Sequence, residues 1–180
     1  GRTRPKLDQL VKDYHAQIDA MEAALAKSRA DGEPMAPGVW AMGIADPDDF
    51  DPARCHGAVD AAAENLRLEL DLSAAVADAD VVVESMAEQE EAKIEFYKRL
   101  APLMAEKTVV VTNSSSLLPS KFTRYTGRPD RYLAMHFANH IWRNNIAEVM
   151  AQPRTSQESF DAIMAFAGQI RMQPLPVRKE

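Results

Sequence analysis

The feature that constrains this chain most is a pair of short β-branched runs separated by one helix-length segment. Asp80-Val81-Val82-Val83-Glu84 and Thr108-Val109-Val110-Val111-Thr112 are uniformly apolar at their centres and flanked by polar residues. Runs of this kind read as strands buried on both faces, the habit of parallel sheets. Between them, Gln89 to Met104 places Ile94, Tyr97, Leu100, Leu103 and Met104 at helical spacing, which predicts a helix. The same alternation continues to the end of the chain. A helix interrupted near Pro119 is expected over Leu117 to Tyr125, and strands over Arg131 to Phe137 and Asn145 to Met150. A helix over Ser156 to Gln169 and a closing strand over Met172 to Val177 follow. Upstream, Leu66, Leu68 and Leu70 alternate with Arg67 and Glu69, predicting a half-exposed strand, and Leu72 to Ala77 a short helix. Strands alternating with helices imply an α/β, Rossmann-like domain with a mostly parallel sheet and flanking helices.

The first part reads differently. Leu7, Leu10, Val11, Tyr14, Ile18, Met21 and Leu25 recur every three or four residues, predicting a long N-terminal helix from Lys6 to Arg29 that Asp31-Gly32 and Pro34 end. His15 lies on it and reads as an exposed structural histidine. Residues 31 to 53 form a Pro-, Gly- and Asp-rich loop held by Trp40 and Phe50, followed by a short helix over Ala53 to Glu64. Asp46, Asp48, Asp49 and Asp51 lack the glycine and terminal glutamate of an EF-hand loop, so they read as a solvated acidic loop, and no metal site is expected. Residues 1–64 are thus a helical segment with a loop, part of the same domain as residues 65–180.

Composition narrows the partners. A net charge of −6 argues against broad attraction to nucleic acid or anionic membrane. Lys121, Arg124, Arg128 and Arg131 form a local basic spot that reads as a solvated face. The single cysteine, Cys55, allows no internal disulfide, which fits a reducing, cytoplasmic setting. No apolar run is long enough for a membrane span, and the N-terminus has no apolar signal core.

In a parallel sheet, ligands bind beyond the carboxyl ends of the strands. Three successive strands deliver polar groups there: Glu84, Ser85 and Glu88 from the first; Thr112, Asn113, Ser114, Ser115 and Ser116 from the second; His136 and Asn139 from the third. Any one serine in such a place is more often a helix cap than a site residue. His136 is the sharpest candidate, because it ends the apolar run Tyr132-Leu133-Ala134-Met135. A lone histidine there is more often a satisfied core residue. Glu148, inside the apolar strand Ile146-Ala147-Glu148-Val149-Met150, changes that, since a carboxylate there is costly without a partner. A carboxylate on one imidazole nitrogen orients the ring and leaves the other nitrogen to move a proton. His140, Arg143 and Arg154 are alternative partners for Glu148, and an edge strand with Glu148 in solvent is the plainer reading.

These segments resemble the 3-hydroxyacyl-CoA dehydrogenase family. Val83-Glu84-Ser85-Met86-Ala87-Glu88 followed by Lys93 is similar to the segment before that family's nicotinamide site. Asn113-Ser114-Ser115-Ser116-Leu117 is similar to its Asn-Thr-Ser-Ser-Leu, His136-Phe137-Ala138-Asn139 to its His-Phe-Phe-Asn-Pro, and Ala147-Glu148-Val149-Met150 to its Val-Glu-Val-Val. The spacings match as well, 23 residues from Asn113 to His136 and 12 from His136 to Glu148. The resemblance runs from about Asn65 to Arg178. It implies NAD as cofactor, an acyl-CoA substrate, and oxidation of a (3S)-3-hydroxyacyl-CoA to the 3-oxo compound, or the reverse, in fatty-acid β-oxidation. It implies that His136 is the acid–base group, Glu148 its orienter, Ser115 a partner of the reacting oxygen and Asn139 a further substrate contact. It implies that Glu84, Glu88, Lys93 and Asn113 lie on the cofactor.

The family's first strand and Gly-x-Gly-x-x-Gly loop have no counterpart in Gly38 and Gly43, its carboxy-terminal helical domain has none either, and His140 replaces the proline after Asn139. The 180 residues therefore read as an incomplete, middle portion of such an enzyme, a homodimer at full length, and by themselves are expected to bind NAD weakly and to turn over no acyl-CoA. Two other readings compete: a non-catalytic α/β scaffold or binding module, and a dehydrogenase of another hydroxy acid.

Overall fold

The computed structural model describes residues 3–177 and residue 180. Arg178, the far end of the family resemblance, lies outside the described residues. The chain divides into two compact units, one of Gly1–Leu68 with His140–Asn145, the other of Glu69–Asn139 with Ile146–Glu180.

The first unit is a helical hairpin with a packed loop. Helix α1 spans Thr3–Asp31 and helix α2 spans Pro52–Asn65. Gly32, at φ +67°, ends α1 in the left-handed conformation that only a side chain without Cβ adopts at no steric cost. Asp51 caps α2 by accepting from the Arg54 amide at 3.0 Å, and Pro52 takes the first turn, where no amide donor is needed. Ile18, Met21, Ala41, Ala45 and Cys55 form the core, with the rings of Trp40 and Phe50 edge to face at 5.0 Å. Gly43 allows the loop to reach the 140–145 turn: its amide donates to the Trp142 carbonyl at 3.1 Å, and a Cβ there would sit 2.7 Å from the Ile141 carbonyl oxygen. Gly43→Ala is therefore expected to destabilise the first unit by about 1–3 kcal/mol, because the obstacle is backbone and cannot rotate away. Urea unfolding followed by tryptophan fluorescence checks this, and an unchanged midpoint would show that the turn shifts freely.

The second unit is a five-stranded sheet in the order β1 (Val81–Glu84), β2 (Val109–Thr112), β3 (Tyr132–Phe137), β4 (Ile146–Ala151), β5 (Gln173–Val177). All neighbours are parallel except β3 and β4. Helices α3 (Leu72–Val76), α4 (Glu90–Leu100) and α5 (Gln157–Gln169) connect and flank it. Side chains on β2 alternate between two cores, as the pleat requires. Val109 and Val111 join Leu133, Met135, Ala147, Val149 and the α5 residues Ile163 and Ala167 on one face. Val110 joins Tyr97, Leu100, Phe122 and Tyr132 on the other. Burying a side chain such as Ile163 contributes about 1.5–3 kcal/mol.

Three sequence expectations need correction. Residues 66–71 form no strand: Leu66 and Leu68 are each 43 % exposed and Leu70 fully so, and among the described residues no strand pairs with them. Alternation marks a strand only where a neighbour supplies the hydrogen bonds. The expected helix over Leu117 to Tyr125 is two 3-10 turns, Pro119–Lys121 and Thr123–Tyr125, because Pro119 holds the preceding Leu118 in the extended conformation, at ψ 133°. Likewise α4 stops at Leu100 and a 3-10 turn, Ala101–Leu103, carries Pro102.

Candidate active site at the carboxyl edge of the sheet

Because β1, β2 and β3 are parallel, their carboxyl ends leave the sheet at one edge. The antiparallel β4 brings its amino-terminal half to the same edge. Register does the rest: His136 of β3 lies directly opposite Glu148 of β4, so their side chains share a face. His136 Nδ1 and Glu148 Oε2 are 2.9 Å apart, with the side chains 32 % and 46 % exposed. The expected pairing is present, but the reason given for it from the sequence is not. Glu148 is half in solvent, so it is the strand register that joins the two, not the cost of a stranded buried charge. The alternative partner Arg143 is engaged elsewhere, donating to Gln17 Oε1 at 2.9 and 3.3 Å.

Asn113 closes the gap between β2 and β3 past the last ladder pair. Its backbone amide donates to the Glu84 carbonyl at 2.8 Å, and its side-chain Oδ1 accepts from the Phe137 amide at 2.9 Å. The residue beside His136 is thus pinned by a side chain where the ladder runs out. Ser115 and Asn139 are exposed at this edge.

Glu88 organises the loop that follows β2. Its carboxylate accepts from the Ser114 hydroxyl at 2.7 and 2.8 Å, the Ser116 hydroxyl at 2.9 Å and the Ser116 amide at 3.3 Å. Burial pushes this carboxyl up, but the Ser114 and Ser116 donors and the nearby Lys93 charge outweigh it and hold it below its ordinary value. Ser114 and Ser116 are partners of Glu88 that the sequence offered only as part of a serine run.

Glu84 and Lys93, expected on the cofactor, are turned inward onto each other. Both side chains are fully buried, and Lys93 Nζ donates to both Glu84 oxygens at 2.7 and 2.8 Å. The Tyr97 and Thr112 hydroxyls each donate to Glu84 Oε2 at 2.8 Å, the Met86 amide donates to Oε1 at 2.6 Å, and the Tyr97 and Tyr132 hydroxyls meet at 3.1 Å. Burial alone would raise the Glu84 carboxyl, yet these donors, Lys93 first, leave it lowered. Burial raises both tyrosine hydroxyls, so they stay neutral donors. The inward turn follows from the pleat: Glu84 and Thr112 are register partners, and Tyr97 on α4 packs with Tyr132, so a polar strand end is drawn inward by donors from other elements. The basic spot is likewise used internally. Lys121 pairs with Glu90 at 2.7 Å, Arg124 lies 4.7 Å from the Tyr125 ring, and Arg128 Nη1 donates to the Ala105 and Thr108 carbonyls at 2.6 and 3.2 Å.

A mostly parallel α/β unit with a hydrogen-bonded histidine–glutamate pair at the carboxyl edge defines a nucleotide-binding domain of the oxidoreductase kind. The family described as 3-hydroxyacyl-CoA dehydrogenase, NAD binding domain, matches residues 17–180, and the chain belongs to it. L-carnitine dehydrogenase of Burkholderia mallei is 34 % identical over 109 residues, 61 % of this chain and 34 % of the relative. Human mitochondrial hydroxyacyl-coenzyme A dehydrogenase is 33 % identical over 105 residues, 58 % of this chain and 33 % of the relative. The matches thus cover about a third of the length of these curated relatives. Among solved structures, a diketoreductase described as acting on dicarbonyl compounds is 37 % identical with a TM-score of 0.68, covering 91 % of this chain and 51 % of that one. (S)-3-hydroxybutyryl-CoA dehydrogenase of Ralstonia eutropha, 23 % identical with a TM-score of 0.63 over 74 % of this chain and 45 % of that one, shares the fold.

The edge fits one end of NAD. The Glu88 side chain, 34 % exposed, offers carboxylate oxygens suited to sugar hydroxyls, beside Asn113 and Ser115. The glycines of the first unit offer no cradle for the pyrophosphate: the Gly43 amide is already bonded to Trp142, and Gly38 forms a turn at φ +79°. Among the described residues no helix is long and apolar enough to cross a membrane.

Proposed function

We propose that this domain supplies the acid–base group, His136, for the NAD-dependent interconversion of a 3-hydroxyacyl-CoA and its 3-oxo form in a longer enzyme that contains it. The observation that carries the reading is the 2.9 Å contact between His136 Nδ1 and Glu148 Oε2 at the carboxyl edge. The carboxylate only accepts, so it fixes Nδ1 as N–H and leaves Nε2 as a base. In the oxidising direction Nε2 takes the proton of the 3-hydroxyl as the C3–O bond becomes a carbonyl. In the reducing direction the same nitrogen returns it. Bound NAD supplies the hydride acceptor for carbon 3. Ser115 and Asn139 hydrogen-bond the reacting oxygen and its neighbourhood, while Glu88 and Asn113 hold the nicotinamide end. The same reading includes a homodimer in a cytoplasmic, reducing setting.

A second reading, a hydroxy acid not carried on CoA, is favoured by the L-carnitine dehydrogenase and diketoreductase relatives. A histidine–glutamate pair acts only on the hydroxyl and serves either substrate. Rates of NADH formation with 3-hydroxybutyryl-CoA and with L-carnitine separate them. A kcat/KM at least tenfold higher for the CoA ester supports the first reading, and the opposite order sinks it. The assay applies to whichever polypeptide turns over, this chain or a longer one containing it.

For the 180-residue chain alone, NAD binding is expected to be weak and acyl-CoA turnover nil, since the recognisable contacts reach only the nicotinamide end. Calorimetric titration with NAD checks this. Tight stoichiometric binding would reveal a phosphate site among residues not assigned to one above.

A further inference from the structure

The function proposed above uses His136 and leaves the other three histidines, His15, His56 and His140, without a task. Two of these meet in the first unit, His15 on α1 and His56 on α2, with their Nδ1 atoms 2.6 Å apart. Their outer nitrogens are held by carboxylates: His15 Nε2 lies 3.0 Å from Asp60 Oδ1, and His56 Nε2 lies 3.1 Å from Asp19 Oδ1. The pattern is reciprocal. Asp19 is one helical turn beyond His15 on α1, and Asp60 one turn beyond His56 on α2, so each helix lends the carboxylate that holds the other helix's imidazole. The ring planes differ by 17° and the centroids are 4.9 Å apart. That separation is the 2.6 Å nitrogen gap plus one ring radius at each end. The rings therefore meet nitrogen to nitrogen in nearly one plane, rather than face over face.

A carboxylate only accepts hydrogen bonds, so each outer nitrogen is held as N–H. An imidazole protonated at Nε2 presents a lone pair at Nδ1. Two lone pairs are thus aimed at one point, where they repel unless a cation lies between them. We propose that His15 and His56 form a two-histidine site for a divalent first-row transition metal of the zinc or copper type, with Asp19 and Asp60 orienting the ligating rings. Imidazole suits these ions, and a metal-bound histidine usually donates its other nitrogen to a carboxylate, the arrangement both rings show here. The side chains of His15 and His56 are 28 % and 30 % exposed, which gives an ion access and leaves room for water to complete its coordination. Metal–nitrogen bonds of about 2.0–2.1 Å at a tetrahedral angle set the nitrogens about 3.3 Å apart, so the pair opens by less than about 1 Å and each ring turns about 35° from the head-on line. Among the described residues no group of three or more His, Cys, Asp or Glu side chains can hold a metal ion, so this site has two protein ligands and is weaker than a closed structural zinc site. Its effect is to tie α1 to α2.

Calorimetric titration of the 180-residue chain with zinc and with copper(II), without nucleotide or substrate, tests the site independently of catalysis. One ion per chain is expected. His15→Gln or His56→Gln should each weaken uptake at least tenfold, His140→Gln should not, and Asp60→Asn, which keeps both imidazoles, should weaken it about 10–100-fold. Because a histidine variant can loosen the hairpin, ring-nitrogen NMR of the unsubstituted protein supplies the second measurement. Zinc should move the Nδ1 signals of His15 and His56 and leave their Nε2 signals bonded to the carboxylates. Absence of saturable uptake, uptake unchanged in His56→Gln, or metal on Nε2 would each overturn the site and leave a shared proton as the occupant of the gap.

Discussion

Lys93→Met is expected to destabilise the protein by about 3–5 kcal/mol, because it leaves the Glu84 carboxylate buried without its counter-charge. Lys93 and Glu84 side chains are both fully buried, so water cannot replace the lost partner. The double variant Lys93→Met, Glu84→Gln should recover part of the loss, since a neutral amide keeps the Tyr97 and Thr112 hydroxyls bonded at lower desolvation cost. Dependence on pH separates this from simple loss of packing. In the native protein the Glu84 carboxyl is lowered, so its stabilising contribution is present above the unfolded value of about 4.3 and lost as pH falls through the folded one. Without Lys93, burial is opposed only by hydroxyl and amide donors and raises the folded value above the unfolded one. The variant should then gain stability, relative to the native protein, as pH falls from neutrality. Urea midpoints for both proteins between neutral and acid pH check this. A loss below about 1 kcal/mol, or parallel pH curves, would mean that the pair is hydrated in solution.

His136→Gln is expected to lower kcat by about a hundred- to ten-thousand-fold, the range for removal of a positioned acid–base group, with a much smaller change in KM. Glu148→Gln should lose less, because its amide oxygen can still accept from Nδ1–H, though the amide can also turn and present a donor to the wrong tautomer. Combining the two should cost scarcely more than His136→Gln alone, since the carboxylate acts only through the ring. The measurement is NADH-coupled turnover with saturating substrate. Near-native turnover in His136→Gln would remove the histidine from the chemistry, and additive losses would mean that Glu148 acts by another route.

The two variants probe one face of the same sheet edge, and the sequence served them unequally. His136 and Glu148 were legible because each sits at a place where its type is unusual, and because ordered motifs at matching spacings accompany them. Asn113 was expected near the cofactor, but its side-chain bond to the Phe137 amide was not legible, since it bridges residues 24 apart that only the β2–β3 pairing brings together. The family resemblance implied that Glu84 and Lys93 lie on the cofactor, and the structure pairs them with each other inside the fold. A polar residue at a strand end carries no mark saying whether donors elsewhere will draw it inward.

By itself the sequence determined the parts that depend on local periodicity: four of the five helices within a few residues, the apolar strands of the sheet, and the family. These follow from contacts a few residues apart, where spacing and side-chain type are sufficient. Tertiary structure decided what depends on pairing. It removed the strand at 66–71, which finds no partner among the described residues, and it turned β4 antiparallel so that Glu148 faces His136. It also joined His15 to His56, 41 residues away, through two crossed carboxylates. Strand partners and charge pairs are chosen by the whole chain competing for hydrogen bonds, and that competition leaves no trace in any one segment.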